Sequence, residues 1–571
     1  MKLYLVVILL VLRGMRCDLL SFDDPFFEPE PVEPVGPVVT IPTLGQVRGS
    51  QMTSEAGRSF NAFRGIPYAK PPIGDLRFRD PLPAEPWLGD TLDVSREGPT
   101  CIQYNTLVQF IIGKEDCLKL NIYTHDLDYE NSTKAVMVWI HGGSWFMSSG
   151  NGGLADIYGP RYFLDRDIVL VTINYRLGPL EKLGFLSTED AEAPGNYGLL
   201  DQTMALRWVR DHIRYFGGNP NLVTIFGESV GAASVHFHLL SPYSKGLFHR
   251  AIAQSGSALN PWSVEKSTGI YTQLLAKDLD CQSSNSSELL SCLRTKPARE
   301  IAIFRKKIEV FKIIPIAFGP RVDTERKFPF IPDEPKKLIE QKQINSVPLI
   351  TGLNENEGVF TIAMLLSNNG FLMKNFSENS FKYLRYFTGA EFSKNGDQVV
   401  DRAIKHYFAP NKSLENQLSE LEKMISDYAF FKGIDDAVHL LSKFSDKPTY
   451  YYLFGHRAQL STTTLLGLPS DLNLGVSHTD ELYLMFTNDF LPRMNSTDDK
   501  KVSKLLLDLW TTFAEDGVPQ SELVNGGWSS TTEDQTRYLR IDAEFPVMIN
   551  QSMPFYDRLA FWNQEFNPPT V

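Results

Sequence analysis

With 571 residues, 43% of them hydrophobic and 22% charged, the chain has ample material for a large buried core, which excludes global disorder. A formal net charge of −12 disfavours nucleic acid and anionic membrane surfaces as partners, and no cluster of Lys and Arg offsets it. Length alone leaves the domain count open, because α/β architectures run well past the usual domain size as one unit.

Residues 1–17 place Lys2 ahead of an apolar run, Leu3 to Leu12, too short to cross a bilayer, the pattern of a secretory signal peptide. Residues 18–36 hold six carboxylates, no Lys or Arg and several prolines, which predicts a flexible acidic leader. From 37 to 571 no repeat or low-complexity linker interrupts the chain, so a single domain is expected, secreted and without a membrane span. With Cys17 in the signal segment, four cysteines remain, and their spacing favours the pairs Cys101–Cys117 and Cys281–Cys292. Six Asn-x-Ser/Thr sequons, at Asn131, Asn285, Asn375, Asn411, Asn495 and Asn550, agree with export.

Short apolar runs alternate with segments of helical periodicity, which predicts parallel strands joined by crossover helices in an α/β fold. The predicted strand Ala135–Ile140 leads into His141-Gly142-Gly143-Ser144-Trp145, a glycine-rich loop whose Gly143 and Ser144 amides are candidate oxyanion donors with that of Val230. A strand at Ile168–Ile173 follows, then a helix over Leu199–Phe216 that Gly217-Gly218 stops. The strand Val223–Phe226 runs into Gly227-Glu228-Ser229-Val230-Gly231, the strand, sharp turn and helix of a nucleophile elbow.

A serine hydroxyl is a weak nucleophile, so it needs an imidazole to take its proton and a carboxylate to hold that imidazole in the right tautomer. On such a sheet both follow the serine, acid before histidine, on loops at the carboxyl ends of strands. The strand Pro348–Thr351 enters a loop with Glu355 and Glu357, either of which has the chemistry of the acid. After the strand Thr449–Phe454 come His456 and, in the loop Gly475–Glu481, His478; His478 is favoured as base and His456 is its rival. His236 and His238, on the helix after the serine, read as packing residues.

Together with Phe63–Ala69, Glu115–Asn121, Asn196–Gln202 and Phe216–Pro220, the elbow and the His478 loop resemble the type-B carboxylesterases, which include cholinesterases, insect esterases and juvenile hormone esterases. The resemblance covers nearly the whole chain after the leader and is closest to insect esterases. It implies an α/β-hydrolase fold, with a central, mostly parallel twisted sheet flanked by helices. It further implies a serine esterase acting through an acyl-enzyme, with Ser229, Glu357 and His478 as triad and Gly143, Ser144 and Val230 as oxyanion donors. Ser255 and Glu228 are implied as support for the triad and Trp262 as a wall of the acyl pocket. No metal or organic cofactor is implied, and the expected partner is a small carboxylic ester.

The departures shape the expected substrate. Val230 and Ser144 stand where many relatives have smaller residues, and their bulk is expected to narrow the acyl site toward small or linear groups. The Cys101–Cys117 loop has Tyr104 and Phe110 but no tryptophan, which argues against a choline ester. Many juvenile hormone esterases have glutamine where this chain has Glu228, so a general esterase fits better than that specialised relative. A non-catalytic adhesion relative is a further alternative, opposed by the filled triad positions. Loss of a proton from His478 is expected to bring activity in near pH 6.5, the ordinary imidazole range of about 6.5.

Overall fold

The computed structural model describes residues 36–565, apart from 88, 107–108, 154–155, 179–183, 368–370, 389, 391–393, 414–415, 470 and 545. The segment expected as a signal and all of the expected leader except Gly36 lie outside the described residues.

Apolar runs without polar alternation belong to strands covered on both faces, and the chain gathers such runs into one eleven-stranded sheet. Its strands are β1 (Ser50–Thr53), β2 (Ser59–Pro67), β3 (Lys119–Thr124), β4 (Lys134–Ile140), β5 (Val169–Ile173), β6 (Gly218–Glu228), β7 (Arg250–Gln254), β8 (Leu349–Asn354), β9 (Thr449–Phe454), β10 (Tyr538–Ile541) and β11 (Val547–Ile549). They lie in the order β11-β10-β9-β8-β7-β6-β4-β5-β3-β2-β1. Every pairing from β5 through β4, β6, β7, β8 and β9 to β10 is parallel, and antiparallel pairs complete both edges. This is the expected α/β-hydrolase architecture. The strands expected from sequence recur with ends moved by a few residues, β6 being extended by the stretch from Gly218. β7, whose five residues carry Arg and Gln at their ends, was not legible.

Alternation along each strand feeds two cores. In β4, Val136, Val138 and Ile140 enter one, and Met137 and Trp139 the other. Helices α1 (Tyr197–His212) and α2 (Val230–Leu240) pack on the first face. Farther along lie α3 (Leu418–Ile425), α4 (Lys432–Phe444) and α5 (Thr497–Asp516), the last covering the second face with Leu505, Leu506, Leu509, Trp510 and Phe513. The helix expected over Leu199–Phe216 is α1 with its last turn, Ile213–Phe216, tightened to a 3-10 helix.

The Asn196–Gln202 motif has a structural reason. Asp201 accepts from Arg176 at 2.7 Å on both carboxylate oxygens, and neither side chain is exposed, so the loop after β5 is clamped to α1. Removing one partner would leave a buried charge unpaired, at a cost of about 3–5 kcal/mol. The disulfides Cys101–Cys117 and Cys281–Cys292 are both formed. Among the described residues no helix is long and apolar enough to cross a membrane.

Candidate active site

Parallel strands place their carboxyl ends on one edge, where the connecting loops converge. At the end of β6 the chain turns straight into α2, and Ser229 at the turn has φ 60° and ψ −126°, a conformation rarely adopted by a side-chain-bearing residue. Two backbone hydrogen bonds hold it, Ser229 N to Gln254 O at 2.8 Å and Ala233 N to Ser229 O at 3.0 Å. The flanking glycines are needed because α2 passes against the end of β4. A Cβ at Gly231 would lie 2.1 Å from the Ile140 carbonyl oxygen, and one at Gly227 2.5 Å from the same atom.

Beside this turn, β4 ends in the glycine-rich loop. Gly143, Ser144 and Trp145 all have positive φ, at 97°, 56° and 56°, which turns successive amides toward one side. Gly143 O is occupied by the amides of Phe146 and Met147, at 3.1 and 3.0 Å. Among the described residues, the amides of Gly143, Ser144 and Val230 donate no hydrogen bond, leaving three donors beside Ser229. Trp145 fixes the loop to α2: its Nε1 donates to Ser234 Oγ at 3.1 Å, and that hydroxyl donates to Val230 O at 2.8 Å.

The two open alternatives separate cleanly. Glu355 is partly exposed and pairs with Arg540 at 3.2 Å, whereas Glu357 is fully buried. Glu357 Oε1 accepts from Asn354 N at 2.7 Å, and its Oε2 lies 2.7 Å from His478 Nδ1. His456 is engaged elsewhere, its Nε2 lying 2.8 Å from Asp499 Oδ1. His236 and His238 are packing residues: His236 Nδ1 accepts from Ala258 N, and His238 bridges Ser244 and Gln202. The His478 loop is pinned by Asn354 Nδ2, which donates to Ser477 O at 2.7 Å, and by Asp480, which accepts from Ser477 N at 2.9 Å.

His478 Nε2, the nitrogen that would serve Ser229, lies 3.0 Å from Glu228 Oε1, an ionic contact whose angles are not those of a hydrogen bond. Ser229 Oγ makes no hydrogen bond among the described residues, as is common where catalytic contacts tighten only around substrate. Burial disfavours the His478 cation, but Glu228 and Glu357 together outweigh it and hold its pKa well above the usual imidazole value. The sequence-based expectation of an ordinary midpoint is therefore corrected. Burial pushes the Glu228 carboxyl up against the opposing pull of His478. Glu481 is raised to about 8 by burial and by Glu228.

Other expectations fare differently. The Ser255 hydroxyl is buried without a hydrogen-bond partner among the described residues, so the supporting bond implied for it is not made. Val230 is 1% exposed and packs with the core on the α2 face. Trp262 is half-buried, with its ring centroid 6.0 Å from that of Trp145. Two aromatics that no sequence signal marked flank the imidazole, Phe360 at 5.7 Å and Phe430 at 4.6 Å between ring centroids. Phe360 lies three residues past Glu357 and was within reach of a closer reading; Phe430 comes from a helix far along the chain.

The sheet order, the elbow and the convergence of three loops at its carboxyl edge define an α/β-hydrolase. The chain belongs to the carboxylesterase family, whose profile matches residues 35–562. It is 36% identical over 533 residues to a carboxylic ester hydrolase of Bombus ignitus, with 92% of this chain and 94% of that one covered. Over 561 residues it is 34% identical to a juvenile hormone esterase of Tribolium castaneum, with 91% and 92% covered. Among solved structures, juvenile hormone esterase from Manduca sexta, with OTFP covalently attached, aligns with a TM-score of 0.80 at 26% identity, covering 93% of this chain and 99% of that one.

Proposed function

We propose that the protein is a secreted serine esterase that hydrolyses carboxylic esters by two-step acyl transfer. Ser229 Oγ attacks the ester carbonyl as His478 takes its proton, and the amides of Gly143, Ser144 and Val230 stabilise the oxyanion. The alcohol leaves with that proton; water then attacks the acyl-enzyme, giving its proton to His478 and releasing the acid as Ser229 is reprotonated. Glu357 holds the imidazole throughout. The observation that carries this reading is the buried 2.7 Å pairing of His478 Nδ1 with Glu357, on the sheet edge that bears the elbow. Secretion is supported by the signal-like segment at residues 1–17 and by two formed disulfides. Glycosylation at the sequons fits the same route: Asn131, Asn285, Asn411, Asn495 and Asn550 are exposed, while Asn375 is half-buried on a helix.

The test is labelling with a fluorophosphonate followed by mapping of the modified residue, beside turnover of aryl esters. Modification at Ser229 is expected; turnover with Ser229 unmodified would overturn the assignment. The juvenile hormone esterases among its relatives favour a second, specialised reading. Turnover of juvenile hormone far above that of aryl acetates would establish it.

The charge around His478 predicts the pH profile. Only the neutral imidazole accepts the serine proton, and a raised pKa means that this form is reached at higher pH. The acid limb of kcat/KM is therefore expected above the ordinary value of about 6.5. Glu228→Gln removes one of the two charges that stabilise the cation, so the limb should move to lower pH. A pH series on both proteins checks this, and an unmoved limb would show that Glu228 does not act on the imidazole.

A further inference from the structure

The glycine-rich loop sits hard against the nucleophile: a Cβ at Gly142 would lie 3.3 Å from Ser229 Cβ. Beyond Gly142 the backbone turns back on itself, and a Cβ at Gly143 would lie 2.1 Å from Met147 O. Four residues of this turn, Gly143, Ser144, Trp145 and Ser148, have positive φ, the last at 85°. All but the first carry side chains, so the turn keeps this shape only where its surroundings impose it. That matters for the chemistry, because oxyanion donors are effective when they are fixed before charge develops.

One hold grips the main chain of the turn itself. Gln103 lies in the short strand Gln103–Asn105, which pairs with Phe110–Ile112 inside the Cys101–Cys117 disulfide loop. Its side chain is fully buried. Gln103 Oε1 accepts from Ser148 N at 2.7 Å, and its Nε2 donates to Ser148 O at 2.9 Å and to Cys101 O at 3.1 Å. The primary amide thus pairs with Ser148 as a neighbouring strand would, with its carbonyl and both N–H groups in use. Thr106, one residue past the strand, adds a bond from its hydroxyl to Met147 Sδ at 3.6 Å, and Asp156 accepts from the Ser148 hydroxyl at 2.7 Å. Of these holds, that of Gln103 acts on both main-chain groups of Ser148 and so fixes the peptide planes on either side of it.

We infer that Gln103 is a positioning residue for the reaction: by clamping Ser148 it holds the turn whose Gly143 and Ser144 amides receive the oxyanion, and so ties the disulfide loop to transition-state stabilisation. This rests on those amides and Ser229 acting as proposed above. Gln103 acts through the turn and not on the substrate.

The test measures kcat and KM for an aryl acetate, with active enzyme counted by the end point of fluorophosphonate labelling. Gln103→Ala removes the three bonds of the side chain. It is expected to lower kcat and kcat/KM together by about 10²-fold, the scale of a small misplacement of catalytic groups. Equal falls mark an interaction made in the transition state, and the labelled fraction should stay that of the wild type. Affinity for an aryl trifluoromethyl ketone, whose hemiketal oxygen takes the place of the oxyanion, should fall by a similar factor.

Gln103→Glu gives a separate readout. An ionised carboxylate accepts from Ser148 N but repels Ser148 O, whereas the protonated acid donates to that carbonyl as the amide does. Burial raises the pKa of such a carboxyl, so activity relative to the wild type is expected to recover as pH falls. Taking the ratio to the wild type at each pH cancels the titration of His478. Gln103→Ala with kcat within about twofold of the wild type would overturn the inference, and so would a loss matched by the loss in labelled fraction. Should that variant not fold, a Gln103→Glu ratio that stays flat or drops with falling pH has the same force. Failure of the wild type to label at Ser229 would instead overturn the reading on which the inference rests.

Discussion

Alanine at position 229 is expected to lower kcat by about 10⁶-fold, equivalent to about 8 kcal/mol of transition-state stabilisation, and adding His478→Ala is expected to cost almost nothing more. The reason is that the two side chains act as a unit. Without the hydroxyl there is no acyl-enzyme, so a base positioned to activate it has nothing to do; without the base the hydroxyl remains a weak nucleophile. The amides of Gly143, Ser144 and Val230 survive both substitutions, because Ser229 is held in its turn by backbone bonds to Gln254 and Ala233 rather than through its side chain. A residual rate of about 10³–10⁴-fold over water is therefore expected in the double variant. Steady-state turnover of an aryl acetate by both single variants and the double variant measures this. Additive losses, with the double variant far below either single one, would show that the two residues work in separate steps.

Glu357→Gln is the second large effect. The carboxylate at 2.7 Å from His478 Nδ1 keeps a proton on that nitrogen, so that in the neutral imidazole Nε2, which lies 3.0 Å from Glu228 Oε1, is the nitrogen without a proton and the one proposed to accept from Ser229. An amide at 357 can present its NH₂ to Nδ1 and stabilise the opposite tautomer, and a loss of about 10⁴-fold in kcat is expected. Glu355→Gln is the matched control two residues away. Glu355 is partly exposed and faces Arg540, so its change should leave kcat within about twofold, as for an ordinary surface pair worth about 0–1 kcal/mol. Equal losses in the two variants would sink the assignment of the acid. The same pair distinguishes an effect on chemistry from one on folding, since Glu355 is the residue whose ion pair ties the loop to β10.

Much of this site was legible in the residues because its parts carry local signals. The elbow needs glycines on both sides of Ser229 whatever surrounds it, and the loop after β4 needs residues that tolerate positive φ. Such demands are written into a few consecutive positions. The chemistry of residues 355–357 left the choice of Glu357 over Glu355 to the family resemblance: nothing local says which carboxylate turns inward, and the contacts with Asn354, His478 and Arg540 separate them. Phe430 was less accessible still, because its place depends on a π-helical turn stabilised by Asn260 and Trp262 from a distant loop. The expected midpoint shifts upward for a different reason: the side chains of Glu228 and Glu357 both face the imidazole, and their combined charge outweighs its burial.

The parallel sheet also bears on how the protein reaches its working form. The residues proposed for catalysis come from the ends of β4, β6 and β8 and from the loop beyond β9, separated by long stretches of sequence. Pairings of such long sequence separation form slowly and late, after loop-closure entropy has been overcome. The proposed nucleophile precedes the proposed base by β7, β8 and β9, so a chain that lacks the loop beyond β9 is expected to be inert. Activity in this sense reports on completed topology, since the nucleophile and the base meet only when their distant loops are brought together on the sheet edge.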